Sequence, residues 1–292
     1  MKIALFGKNI GKEYIGYLQL LIDKLNEKGI KIIIYKPFFD QIKSDINLTP
    51  DFELFTNHIE INRNTDFLLS LGGDGTLLDT ITLVRDSGIP ILGINMGRLG
   101  FLASIQKEMI IPTIEAITEG SYKLEKRTLI SLETENNPFG EVNYALNEMT
   151  VYKQNPLSML TIKVFVNDEF LNSYWSDGLI IATPTGSTAY SLSCGGPIIT
   201  PDSQSLVITP IATHNLTVRP IIIPDTSIIR INVQSRDVNY SASLDSREFS
   251  FTSNTELTVK KNSFTINLVK MLRQNFFSTI RLKLLWGNDA RN

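Results

Sequence analysis

The run Phe67-Leu68-Leu69-Ser70-Leu71-Gly72-Gly73-Asp74-Gly75-Thr76 constrains this chain most, because a short apolar strand passes through a glycine turn directly into an amphipathic segment. A strand that turns at once into a helix is half of a βα unit, and such units assemble around a parallel sheet. Three glycines open backbone torsions closed to other residues and let main-chain N–H groups approach an anion beside the positive end of the helix. The acid in their midst, Asp74, repels such an anion, so its presence points to chemistry of its own, either accepting a proton from a hydroxyl or holding a metal ion that travels with phosphates. From these residues alone, a tight connection in which Asp74 caps the helix, worth on the order of 1 kcal/mol, competes with that reading. Two common phosphate motifs are excluded: no lysine followed by Ser or Thr completes a Walker A loop, and there is no G-x-G-x-x-G fingerprint.

The same rhythm runs through the first part of the chain. Lys2 to Phe6 reads as a buried strand. Tyr14, Leu18, Leu21, Ile22 and Leu25 mark an amphipathic helix stopped at Gly29, and Lys31 to Tyr35 is the next strand. After a polar stretch come a strand over Asp66 to Leu71, a helix over Thr76 to Ser87 ended by Gly88, a strand over Ile89 to Ile94 and a helix over Ile110 to Glu119. This pattern predicts an α/β domain over 1–125, a Rossmann-like parallel sheet covered on both faces, with ligands at the carboxyl ends of its strands. Asn95-Met96-Gly97-Arg98-Leu99-Gly100-Phe101-Leu102 falls at the same edge, and by itself reads as a glycine-rich crossover.

From about Lys126 the pattern changes. Leu129 to Thr134, Val142 to Leu146, Met159 to Val166, Gly178 to Ala182, Ser205 to Thr209, Ile228 to Val233, Glu248 to Phe251 and Glu256 to Lys260 read as strands broken by Pro, Gly and Asn. A second, mostly β domain over 126–268 follows. The tail 269–292 holds an apolar run from Phe276 to Trp286 that is too apolar for a free end, so it is expected to dock on a folded surface.

Composition narrows the function. The 292 residues allow two domains, and 42% hydrophobic content supports well-buried cores. With 28 basic and 30 acidic residues and a net charge of -2, broad binding to nucleic acid or an anionic membrane is not expected. Cys194 is the only cysteine and the histidines are His58 and His214, so neither an internal disulfide nor a zinc site is expected. With no apolar segment of membrane-spanning length and no signal sequence, a cytoplasmic setting is expected.

Taken in order, the motifs resemble those of bacterial-type NAD kinases. The matching stretches are Gly72-Gly73-Asp74-Gly75-Thr76; Asn95 to Leu102; Asn147-Glu148; Asp177-Gly178 through Ala182-Thr183-Pro184-Thr185-Gly186-Ser187-Thr188-Ala189-Tyr190-Ser191-Leu192-Ser193 to Gly195-Gly196-Pro197; and Thr209-Pro210-Ile211 with His214 and Arg219-Pro220. The glycine-acid turn alone marks a wider superfamily of lipid kinases and phosphofructokinases; the stretch from Asp177 to Pro197 points to the dinucleotide. The resemblance implies a sandwich-like second domain, a tail that returns to the first, a cleft between the domains, and a homodimer or homotetramer. It also implies transfer of the ATP γ-phosphate to the 2′-hydroxyl of the adenosine ribose of NAD, with a divalent cation, usually magnesium, and no metal ligand assigned to the protein.

The resemblance makes Asp74 the proton acceptor and puts Gly73, Asp74, Gly75, Asn147, Glu148, Asp177, Thr188, Ala189, Tyr190 and Ser193 against NAD. Gly72, Thr76 and Arg98 are expected near the ATP phosphates, and His214 and Asp245 as further ligand contacts. Alone, Asn147-Glu148 reads as a polar pair at a strand end, Asp177-Gly178 as a turn, and Thr183 to Ser193 as a polar surface loop. A loop so rich in hydroxyls beside one aromatic ring suits a neutral, hydroxylated ligand. Cys194 reads as a small buried residue. Leu244-Asp245-Ser246 departs from the family's Asp-Gly, which puts the geometry of that turn in question. Two other functions share the turn: a diacylglycerol- or sphingosine-type lipid kinase, and a non-catalytic NAD(P)-binding sensor, against which the intact Asp74 argues.

Overall fold

Phe67–Leu71 is a strand with every residue buried, and so is Ile91–Asn95. Strands without an exposed face need cover on both sides, which βα connections supply. In the computed structural model, which describes residues 1–48, 51–61, 64–97, 100–235, 239–253, 255–272 and 274–286, the chain divides into two compact units. One comprises Met1–Lys126 and Ile266–Asn292, the other Arg127–Thr265.

In the first unit the parallel strands run Ile91–Asn95, Phe67–Leu71, Lys2–Gly7, Lys31–Tyr35 and Phe52–Phe55 across the sheet. Leu18, Leu21, Ile22 and Leu25 fall at i, i+3, i+4 and i+7 of the helix Ile15–Glu27. They join Ile110, Ile114 and Ile117 of Ile110–Thr118 and the strand residues Ile3, Leu5, Leu69 and Leu92 in one core. Burying each such side chain contributes about 1.5–3 kcal/mol. The stretch after Tyr35 that the sequence presents as polar contains the helix Lys36–Ile42, with Phe38 and Ile42 buried, and the edge strand Phe52–Phe55. Four residues at an edge, two of them exposed, are too few to display a period. The helix after the glycine turn spans Asp74–Val84, because Arg85 turns to φ +49.

In the second unit a six-stranded antiparallel sheet runs Ile221–Pro224, Ser205–Ile211, Gly178–Ala182, Glu148–Lys153, Asn239–Leu244, Arg247–Thr252. Its apolar face (Met149, Val151, Leu179, Ile181, Ile208, Ala242) shares a core with Ile162 and Val164 of Leu160–Val166, Ile231 and Val233 of Ile229–Ser235, and Leu257 and Val259. Two sheets closing on one apolar layer make a sandwich. Strands that the sequence pattern does not announce include Glu148–Lys153, Glu169–Ser176 and Asn239–Leu244. The first is central yet carries Glu148, Thr150 and Tyr152 on the side away from the core, so its apolar content is halved.

The strand Glu256–Met271 begins in the second unit and ends in the first, where Leu268 pairs with Ile91. The tail helix Phe276–Leu284 buries Ile280 in the first unit and sets the Lys283 ammonium 5.9 Å from the Phe101 ring centre. Phe277, Leu282, Leu285 and Trp286 of the same run stay more than half exposed, so buried Ile280 with half-buried Phe276 and Leu284, rather than the whole run, anchors it. Among the described residues no helix is long and apolar enough to cross a membrane.

Candidate active site

At the carboxyl edge of the parallel sheet the chain leaves Leu71 through Gly72, whose φ of +155° and contact with the Thr76 side chain leave no room for a Cβ. The Gly72 N–H donates to the Ile94 carbonyl at 3.0 Å, tying the turn to the next strand end. Gly73 caps the helix without any side-chain hydrogen bond, and nothing lies within 4 Å of where a Cβ would stand on Gly73 or Gly75. The turn is therefore open to a ligand, with the helix N–H groups behind it. A cavity of about 200 Å³ adjoins it, with Lys8, Tyr14, Gly72, Gly73, Thr76 and Asn95 among its walls. Lys8 carries no signal in the sequence, and Tyr14, which the pattern gives to the face of a helix, lies in the turn before it; both arrive because the strand Lys2–Gly7 ends beside Phe67–Leu71. Lys8 also pairs with Asp79 of the helix at 2.7 Å.

Asp74 does not cap the helix. Its Oδ1 accepts the N–H groups of Leu102 at 3.0 Å and Ala103 at 2.8 Å, and its Oδ2 accepts that of Phe101 at 2.8 Å. Gly100 makes this possible, since a Cβ there would collide with the Asp74 carboxylate. A carboxylate has about four acceptor positions, and these three donors leave one, on Oδ2. Gly100 to Ala103 thus serves to seat the acid. Arg98 lies outside the described residues.

In the second unit Glu148, Asp177, Tyr190 and Asp245 share the walls of a cavity of about 310 Å³ with Thr150, Tyr152, Lys153 and Ser243. Glu148, Thr150 and Tyr152 reach it because alternate residues of one strand face the same way. Lys153, which carries no signal in the sequence, pairs with Asp177 at 2.7 Å. Burial, and then the charge of Asp245, push the Glu148 carboxyl up to about 8, while the Tyr190 backbone N–H pulls it down. Its Oε2 is buried without a hydrogen-bond partner. At neutral pH this group carries a proton and can donate. Cys194 is half-buried rather than buried, and what burial it has raises its thiol, with the Tyr190 hydrogen bond acting against that shift, which favours the neutral thiol.

Most hydroxyls of the Thr183–Ser193 loop hold the loop itself. Thr183 Oγ1 donates to the Leu146 carbonyl at 2.5 Å, Ser187 Oγ donates to the Pro184 carbonyl and accepts from Ile199, and Ser191 pairs with Thr209 at 2.9 Å. Buried Arg127 donates to Thr185 at 3.3 Å. Thr188 and Ala189 are half-buried and Ser193 is exposed; none of the three lines the cavity. His214 is exposed, its ring centre 4.4 Å from that of Trp175 and its main-chain N–H donating to the Trp175 carbonyl. Asn147 is buried, its carbonyl accepting the Thr183 N–H at 2.9 Å. The Asp245-Ser246 turn is intact: the left-handed residue is Asp245, at φ +52, so no glycine is needed at 246.

Comparison with known proteins finds two family segments along the chain. A model of the ATP-NAD kinase N-terminal domain matches residues 39–122, and one of the C-terminal domain matches residues 146–271. The NAD kinases of Flavobacterium psychrophilum and Cytophaga hutchinsonii are 46% and 45% identical, each alignment covering 100% of both chains. Yeast NADH kinase, solved with NADH, superposes with a TM-score of 0.87 at 25% identity, over 99% of this chain and 88% of its own. An Archaeoglobus fulgidus NAD kinase solved with ATP shares the fold, with a TM-score of 0.73 at 24% identity over 96% of this chain and 99% of its own. Identity of this order over the full length, with both domain models matched in sequence order, makes this chain a member of the NAD kinase family.

Proposed function

We propose that the protein transfers the γ-phosphate of ATP to the 2′-hydroxyl of the adenosine ribose of NAD, giving NADP and ADP. The observation that carries this reading is the seating of Asp74: three main-chain donors fix its carboxylate and leave one acceptor position. A ribose hydroxyl is a poor nucleophile, and phosphoryl transfer depends on alignment and charge neutralisation, with a carboxylate taking the proton as it leaves. Asp74 has that role. The open glycine turn, the helix N–H groups and Lys8 offer positive potential to phosphates, and Gly72, Gly73, Gly75 and Thr76 let them approach. Magnesium enters with ATP as part of the substrate, neutralising the phosphates. Among the described residues no three His, Cys, Asp or Glu side chains cluster as a metal site.

In the second unit the reading gives Asn147, Glu148, Asp177 and Tyr190 to NAD. Glu148, protonated at neutral pH, donates to an acceptor of the nucleotide, and Asn147 offers both donor and acceptor. Thr188, Ala189 and Ser193 contribute through the surface of the loop. His214 contributes only as an edge contact, its ring tilted against Trp175. A cytoplasmic setting and a homodimer or homotetramer belong to the same reading. The net charge of -2 disfavours the lipid-kinase alternative, and the seated Asp74 disfavours a silent sensor.

The test is purified protein with ATP, magnesium and NAD, followed by NADP-specific detection. NADP is expected; phosphorylation of diacylglycerol or a sphingoid base with no NADP formed would overturn the assignment.

A further inference from the structure

The turn Asp245-Ser246 joins the strands Asn239–Leu244 and Arg247–Thr252, and its acid grips a neighbouring segment rather than reaching outward. Asp245 Oδ2 accepts the Leu146 N–H at 2.9 Å, and Oδ1 accepts those of Asn147 at 2.8 Å and Glu148 at 3.3 Å. Its own N–H donates to the Glu148 carbonyl at 3.0 Å. Two residues on, Arg247 donates to the carbonyls of Val142 and Tyr144, holding the approach to the same segment. On the far side, the 183–187 loop locks onto it: the Leu146 carbonyl takes the Thr183 hydroxyl, and Gly186 packs so closely on the Asn147 backbone that no Cβ fits.

We propose that Asp245 is a positioning residue of the nucleotide site, clamping the backbone at 146–148 so that Asn147 and Glu148 are presented to the ligand; it borders the same cavity, but its carboxylate is committed to the clamp and not to a substrate hydrogen bond. The inference rests on the reading that Asn147 and Glu148 hold NAD.

Asp245 as a whole is half-buried on its turn, but its carboxyl points inward, and three amide donors occupy it. Burial raises that carboxyl from its ordinary range, and the three amides and the Arg247 charge pull it back. Burial is the main cause that raises Glu148, and the charge of Asp245 adds to it, so the residue that positions its neighbour also favours its protonated form. The other charged or titratable groups around Glu148 are the Asp177–Lys153 pair, Tyr190 with Cys194, and Tyr152 with Glu248.

The test is the Asp245→Asn variant of the full chain, with NAD titrated calorimetrically across pH beside steady-state kinetics. An amide in place of the carboxylate turns a donor toward at least one main-chain N–H, so the Kd for NAD should rise about tenfold or more. The kcat at saturating NAD should stay within about threefold of wild type, because Asp74 is untouched. The pH midpoint of NAD binding should move down, since Glu148 loses a neighbouring negative charge. A folded variant whose Kd or pH midpoint matches wild type overturns the inference. NADP formation by the wild type separates this from the parent reading: if the wild type makes no NADP, the parent reading is what fails. If the variant does not fold, NMR of the wild type with NAD decides. Contacts from NAD to Asn147 or Glu148, with the Leu146, Asn147 and Glu148 amide protons still protected from exchange in the complex, support the clamp; loss of that protection on NAD binding, the carboxylate having turned to the ligand, overturns it.

Discussion

Glu148 supplies the sharpest physical prediction, because its carboxyl lies at about 8 in the fold against an ordinary value of 4.5. The folded value is the higher, so between these limits the folded state binds more protons than the unfolded one. Stability from this group is therefore full below pH 4.5 and is lost as the pH rises through about 8. At 1.36 kcal/mol per pH unit the whole gap amounts to about 5 kcal/mol, of which about 3 kcal/mol is already lost at pH 7. The Glu148→Gln variant keeps the shape but cannot ionise, so it escapes this loss. Urea unfolding of both proteins at intervals between about pH 5 and 9 isolates the effect as a difference curve. Variant minus wild type should climb by up to about 1.4 kcal/mol per pH unit and level off above about 8, whatever constant offset the amide itself brings. Because a glutamine amide can also donate, the affinity for NAD at neutral pH should change by less than about threefold. Stability curves that run parallel across the range would refute the buried, protonated state of Glu148.

Asp74→Asn should lower turnover by about 10²-fold or more, with little change in the calorimetric NAD affinity; near wild-type turnover would remove the proton-acceptor role. Gly100→Ala sets a methyl group against the Asp74 carboxylate, so it should lose activity to a similar degree while circular dichroism shows the fold retained. In the tail, Ile280→Ala should cost about 2–5 kcal/mol in urea unfolding, whereas Phe277→Ser, at an exposed position, should stay within about 0.5 kcal/mol; equal effects would contradict anchoring through the face that Ile280 buries.

The sequence alone determined the βα repetition of the first unit, because strands buried on both faces and helices with one apolar stripe write their periods into local composition. Phe67–Leu71 and Leu18 to Leu25 are examples. The glycine-acid turn was legible for a related reason: only glycine satisfies Gly72, and its neighbours follow in sequence. Glu148–Lys153 was not legible, since a central strand with one polar face lining a cavity carries half the apolar signal of a core strand. The hydroxyl-rich loop advertised a ligand, but its buried threonine and serines bond inward to Leu146, Pro184 and Thr209. What only tertiary structure decided are the long-range partnerships. Asp74 meets amides about thirty residues away, and Asp245 meets amides about a hundred residues away. A carboxylate's local sequence states its charge and its turn; which distant N–H groups it will accept is set by how strands pair, and that fixes whether the acid takes a proton, caps a helix or clamps a neighbour.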